Sequence, residues 1–338
     1  MKKMRYLRAA ATALLVLPLM HASADDTPKK CRYVNLKSIP ITLEGGVLHI
    51  SGSINGTDLP MTVDTGAQKT TLMRWTVDKL GLRVAHSNIS LAGAGGESAS
   101  YVATVSQFSI GPLAAHNLPL TVAWNTSAMG SAAALVGADF LMQHDLELSI
   151  KDGQLKFFHP LGCNDAFLAY WNPDASVVPF ETDAADNLRP IVTVELNGTP
   201  VRALIDTGAT VSVVTLAAAA RAGVTPTSPH VRKDAQVGGI GEHRFETWIA
   251  PFSSFALGPE VSEHLHLRIG NMWAGLESDV QRMGTSQWIG EQPEMILGMD
   301  FLKHHRLLFS MAQHRLYFSY EGGAVFAPAP AQAVASPL

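Results

Sequence analysis

The chain has 338 residues, 47% of them hydrophobic and 16% charged, with 29 acidic against 25 basic side chains. This length suits two domains, and the composition is that of a folded protein rather than a disordered one. A net charge of −4, with Lys and Arg scattered rather than striped, argues against nucleic acid or an anionic lipid surface as partner.

Residues 1–24 read as a secretory signal. Lys2, Lys3, Arg5 and Arg8 lead into the apolar run AAATALLVLPLM, and Ala-Ser-Ala at 22–24 supplies a small-residue cleavage site. The apolar run is short for a membrane span and carries Pro18, and no later run is long enough. The expectation is an exported protein, periplasmic or secreted, not inserted in the membrane after cleavage. Residues 25–44 form an N-terminal arm. Cys31 and Cys163 are the two cysteines, and in an exported chain they are expected to form a disulfide. A metal site would want more Cys or His at short spacing, and His304-His305 has no such company. No metal and no cofactor is expected.

The next stretch, 45–160, recurs as 190–320. INGTDLPMTVDTGA ends on Asp64-Thr65-Gly66-Ala67, and LNGTPVRALIDTGA ends on Asp206-Thr207-Gly208-Ala209. Asn-Gly between β-rich runs predicts a hairpin whose second strand delivers the Asp-Thr-Gly. TTLMRWTVDKLG (70–81) matches SVVTLAAAARAG (212–223), a short strand passing into a short helix stopped at Gly81 or Gly223. Each copy then has a Gly-rich hairpin tip, with Gly93, Gly95 and Gly96 in AGAGGES and Gly238, Gly239 and Gly241 in VGGIGEH. Such tips are ordinary flexible turns or mobile flaps over a cleft. ALVGADFL (134–141) finally matches MILGMDFL (295–302). The second copy is nineteen residues longer, mostly within 256–293, where Met272, Trp273 and Trp288 read as a packing insert ahead of a cleft wall. Between the copies, 161–189 is a connector. After them, 321–338 is an Ala/Pro-rich tail expected to be disordered.

A lone Asp-Thr-Gly is a turn and nothing more. Two copies place two carboxylates where the halves face each other. Like charges that close share one proton. The ionised member can then take a proton from water while the protonated member donates to a carbonyl, which hydrolyses an amide without metal or covalent intermediate.

Asp-Thr-Gly-Ala followed by Leu135-Val136-Gly137, and again by Ile296-Leu297-Gly298, resembles the retropepsin-like aspartic proteases, duplicated within one chain and of a bacterial exported type. The resemblance covers nearly all of the chain after the signal. It implies an all-β fold with a few short helices: two retropepsin-like β-barrel lobes related by pseudo-twofold symmetry, with the active site between them. It implies Asp64 and Asp206 as the catalytic dyad, supported by Thr65, Gly66, Thr207 and Gly208. The substrate is an extended polypeptide held under the flap glycines, and the protein is a monomer that is its own pseudo-dimer. Asp139 and Asp300 are read as structural, at the start of a short helix where a carboxylate suits the free amides.

Pepsins carry Ser or Thr where this chain has Ala67 and Ala209, which removes one donor from each carboxylate and should raise its pKa. Tyr101 stands near the place of the pepsin flap tyrosine, off the tip. The same fold could also serve as a catalytically inactive peptide-binding module, or as an assembly protein in which the turns only staple two lobes. A staple, however, would work with neutral Asn at lower electrostatic cost.

Overall fold

Asn55 and Gly56 turn the chain with φ of 51° and 79°, and Asn197 and Gly198 with 49° and 75°. Positive φ at both central residues is what a tight two-residue hairpin needs, and Asn and Gly tolerate it. The turns join Val47–Ile54 to Thr57–Val63 and Asn187–Leu196 to Thr199–Ile205. The computed structural model describes residues 30–87, 91–94, 96–98, 100–123, 131–184, 187–239, 243–275 and 292–326. The expected signal, Gly95, Gly241, Trp288 and the tail beyond 326 lie outside the described residues.

Each hairpin's second strand pairs in parallel with a strand from far along the chain. Val63 lies beside Val136, and Ile205 beside Leu297. A parallel pair cannot be closed by a tight turn, so the intervening chain must travel out and back. That excursion is the Gly-rich hairpin and its return strand.

The first eight-stranded sheet runs Thr42–Glu44, Val47–Ile54, Thr57–Val63, Ala134–Val136, Thr71–Met73, Leu113–Ala123, Ser100–Ile110, Val84–His86. The second repeats the order with Glu181–Ala184, Asn187–Leu196, Thr199–Ile205, Met295–Leu297, Val213–Thr215, Glu260–Gly270, Arg244–Leu257 and Arg232–Gly238. Each sheet folds back on itself, where Ile54 also pairs with Phe108 and Leu196 with Phe255. The fold is therefore all-β, with two barrel lobes of equal topology. The aromatic centres match as well: Phe108 meets Phe140 edge-on at 4.9 Å between ring centroids, and Phe255 meets Phe301 at 5.3 Å. Helices are few and short. Arg74–Leu80 ends at Gly81 in the left-handed conformation, as the sequence predicts. Leu216–Arg221 is capped by the Thr215 hydroxyl, which accepts from the Ala218 N–H at 3.2 Å. Among the described residues no helix is long and apolar enough to cross a membrane.

A third sheet, of six strands, is not announced by the sequence. Its order is Arg32–Pro40, Gln154–Leu161, Asp145–Ser149, His305–Ser310, Arg315–Tyr320, Ser176–Pro179. Its two central strands come one from each half, with Leu146 opposite Phe309 and Leu148 opposite Leu307. Both edges come from segments read as arm and connector, so these are strands of a sheet shared by the lobes. The buried Glu147 carboxylate accepts from Lys156 Nζ at 2.9 Å and from Arg306 Nη2 at 2.8 Å, which ties the halves across this sheet.

The tail is folded as far as Phe326, contrary to a tail disordered from 321. The Phe326 ring is buried 4.9 Å from Phe255 and 5.4 Å from Phe301, and its N–H donates to the Asp300 carbonyl. Burying a Phe side chain contributes about 1.5–3 kcal/mol toward holding this return segment.

Cys31 and Cys163 are bonded, with Cα atoms 4.5 Å apart. The bond locks the first strand of the shared sheet to the end of its neighbour, since Arg32 pairs with Leu161. It closes a span of 132 residues, for which chain entropy gives about 5 kcal/mol as an upper figure. The double variant Cys31→Ser/Cys163→Ser should lose stability in urea titration by an amount up to that figure. Thiol titration of unreduced, unfolded wild type should find no free thiol, and two thiols would show that the bond does not form.

Candidate active site

The strands that end at Val63 and Ile205 lose their apolar character where the sheet opens between the lobes. The Asp64 N–H still donates to the Val136 carbonyl, and the Asp206 N–H to Leu297, both at 3.0 Å. The backbone of each aspartate is thus pinned by the parallel strand, and the next residues turn sharply. Gly66 and Ala67 donate their amides to Asp64 Oδ1 at 3.0 and 2.8 Å. Gly208 and Ala209 do the same for Asp206 Oδ1 at 2.8 and 3.2 Å.

The threonines join the two turns. Thr65 Oγ1 donates to the Ile205 carbonyl at 2.7 Å and accepts from the Thr207 N–H at 3.1 Å. Thr207 Oγ1 donates to the Val63 carbonyl at 2.8 Å and accepts from the Thr65 N–H at 3.1 Å. Both threonines are fully buried. The glycines are required by the same closeness. A Cβ placed on Gly66 would sit 2.3 Å from Asp206 Cγ, and one on Gly208 2.4 Å from Asp64 Cγ. No side chain fits there, so each carboxylate packs directly on the backbone of the opposite turn.

Burial pushes the Asp64 carboxyl well above its usual range, and the neighbouring Asp206 charge pushes it further, against the pull of the Ala67 and Gly66 amides. Burial also raises Asp206, while the Gly208 amide, a hydrogen bond from Asp64, the Ala209 amide and the Arg189 charge hold it back. Burial and proximity together favour a state in which the pair holds one proton between its members.

Asp139 and Asp300 support these turns from behind. Their place in the sequence suits the free amides of their own helices, but their main partners lie on the segment that follows the aspartate turn of the same half. Asp139 Oδ1 accepts from the Thr70 N–H and hydroxyl, both at 2.8 Å, and Thr70 Oγ1 accepts from the Gly137 N–H. Asp300 accepts from the Ser212 N–H at 2.9 Å and hydroxyl at 2.6 Å, and Ser212 Oγ accepts from the Gly298 N–H. Thr70 and Ser212 escape a motif search, yet both stand six residues after the aspartate and both carry a hydroxyl. Arg189 gives no such signal, because the matching position of the first copy is Val47.

Gly93 pairs with Gly96 in a small hairpin, and Gly238 with Arg244 in the other flap. The two Gly-rich hairpins approach each other: a Cβ on Gly239 would lie 3.2 Å from that of Ala94. Tyr101 lies off the tip, paired with His86. Met272 and Trp273 pack, as a packing insert would, beside the Asp206 turn. They cluster with Phe245, Val213 and Ile296, against Ala209 and Val211 of the Asp206 turn and Ala94 of the first flap. Cys31 and Cys163 belong to the shared sheet. Among the described residues no group of three or more His, Cys, Asp or Glu is placed to hold a metal ion.

The profile of a family described as aspartyl protease matches residues 50–140 and 192–301, more than half of the chain in two segments. The chain belongs to that family, with its retropepsin-like unit present twice. No curated protein matches it. Among solved structures it is similar to an aspartic proteinase from Irpex lacteus, at 14% identity and a TM-score of 0.49, over 84% of this chain and 97% of that one.

A buried carboxyl whose pKa is raised on folding stabilises the fold below its unfolded pKa of about 3.9 and loses that contribution as pH rises. Asp64→Asn removes the group that resists ionisation. The variant should match wild type near pH 3 and become more stable by at least about 1 kcal/mol toward pH 7, the equivalent of roughly one pKa unit. Denaturant titrations across that range measure it, and a gain independent of pH would contradict the raised pKa.

Proposed function

We propose that the protein is an exported aspartic endopeptidase that hydrolyses peptide bonds with water activated between Asp64 and Asp206. The observation that carries this reading is the pair of buried carboxylates, each packed on the glycine of the opposite turn and sharing one proton. One ionised and one protonated carboxyl are the two tools that attack on an amide needs. The ionised member takes a proton from water, and the protonated member gives one to the scissile carbonyl oxygen. Gly66 and Gly208 leave room for this exchange, and Thr65 and Thr207 fix its geometry. The flaps, through Gly93, Gly96, Gly238 and Gly239, cover an extended polypeptide and exclude bulk water. Because both halves lie in one chain, the site needs no second copy, and a monomer suffices.

Asp64→Asn and Asp206→Asn should each lose at least about a hundredfold in hydrolysis of an unfolded polypeptide, the lower end of what a positioned acid or base contributes. Turnover should follow a bell centred at about pH 4–6, because activity needs one proton on the pair, and burial with coupling pushes the upper of its two steps upward. Ala67→Ser and Ala209→Ser add a donor to the ionised form and should move the bell toward lower pH. A wild type that binds peptides but never cleaves them would be a binding module on the same fold. Near wild-type turnover in either Asn variant would remove that aspartate from the mechanism.

A further inference from the structure

A cavity of about 340 Å³ lies between the second flap and residues 271–275, the first part of the extra stretch. Phe245, Trp248 and Leu216 give it apolar lining, Arg244 and Glu246 are its charged residues, and Ala94 brings in the tip of the first flap. Phe245 belongs to the apolar cluster against which Ala209 and Val211 of the Asp206 turn pack, which places the cavity near that turn. Its size is near the lower end of ligand clefts, about 300 Å³, and suits a side chain rather than a cofactor.

The two charges are not equivalent. Glu246 is paired with Lys233 across the flap hairpin. Arg244 is exposed and makes no ion pair among the described residues. The first flap offers no match for it. In the hairpin pairing Arg244 stands opposite Gly238, and the matching residue of the first hairpin, opposite Gly93, is Gly96. The charge at this position is thus present in the second half alone, and Asn271 and Gly275 build walls on the Arg244 side.

We propose that this cavity is a substrate subsite, on one side of the dyad only, that takes an acidic side chain with Arg244 as its counter-charge. A glutamate suits it best. Its methylenes lie along Phe245 and Trp248, and its carboxylate meets the guanidinium fork in the bidentate geometry that Arg favours. This rests on the peptidase reading for its substrate but can be tested apart from turnover.

The test is binding of fluorescent peptides to the Asp64→Asn protein at about pH 6, where a peptide Glu is ionised. Glu and its neutral isostere Gln are compared at each position around the scissile bond. Glu should bind at least about fivefold tighter than Gln at one position on one side, the scale of a charge-assisted pair. In Asp64→Asn/Arg244→Gln that ratio should fall to about one, and Arg244→Lys should restore part of it. No preference for Glu, or one that survives Arg244→Gln, overturns the subsite. Wild-type hydrolysis of the same peptides is read separately. Turnover without preference for Glu rejects the subsite and keeps the peptidase; Glu-selective binding without turnover keeps the subsite and rejects the peptidase.

Discussion

Four hydrogen bonds between Thr65 and Thr207 and the opposite turns hold the centre of this molecule. Each hydroxyl donates to the carbonyl that precedes the other aspartate and accepts from the other threonine's N–H. All four are buried, so neither turn can leave without exposing or orphaning polar groups, at roughly 1–3 kcal/mol each. Two carboxylates would otherwise repel. This lock keeps them together, and one proton is retained because separation is not available. The glycines, the raised pKa values and the support from Asp139 and Asp300 all follow from that enforced proximity.

The shared six-stranded sheet does for the lobes what the threonines do for the turns. Strands 145–149 and 305–310 pair at its centre, and the buried Glu147 accepts from Lys156 of its own half and Arg306 of the other. Removing one partner from such a pair is strongly destabilising, because a buried charge is left uncompensated. Symmetry is strict where the halves are locked and relaxes with distance. The dyad turns, the parallel strands and the Thr70 and Ser212 hydroxyls repeat. The flaps, Arg189 against Val47, and the stretch after Gly270 do not. A duplicated chain can therefore keep a symmetric chemical centre while its two sides diverge toward different parts of a substrate.

Much of this was legible in the sequence because a repeat reports its own equivalences. The hairpins followed from Asn55-Gly56 and Asn197-Gly198, the facing carboxylates from the duplicated Asp-Thr-Gly, and two further hairpins from paired Gly clusters. The shared sheet was not legible. Its edge strands, 32–40 and 176–179, have no counterpart pattern within a lobe and pair only with partners distant in the chain. Phe326 was hidden in an Ala/Pro-rich segment, where one aromatic does not alter the composition. The partners of Asp139 and Asp300 were missed because local capping is the cheaper explanation from sequence. Only the fold brings Thr70 and Ser212 within reach.

The central claim is that two aspartates, one from each half, share a single proton in a buried site. Carbon-detected NMR titration of the Asp64 and Asp206 side-chain carboxyl carbons measures this directly. The account predicts two coupled steps felt by both carbons, the upper one well above the ordinary Asp value of about 3.9. Two independent titrations, each near that ordinary value, would contradict it.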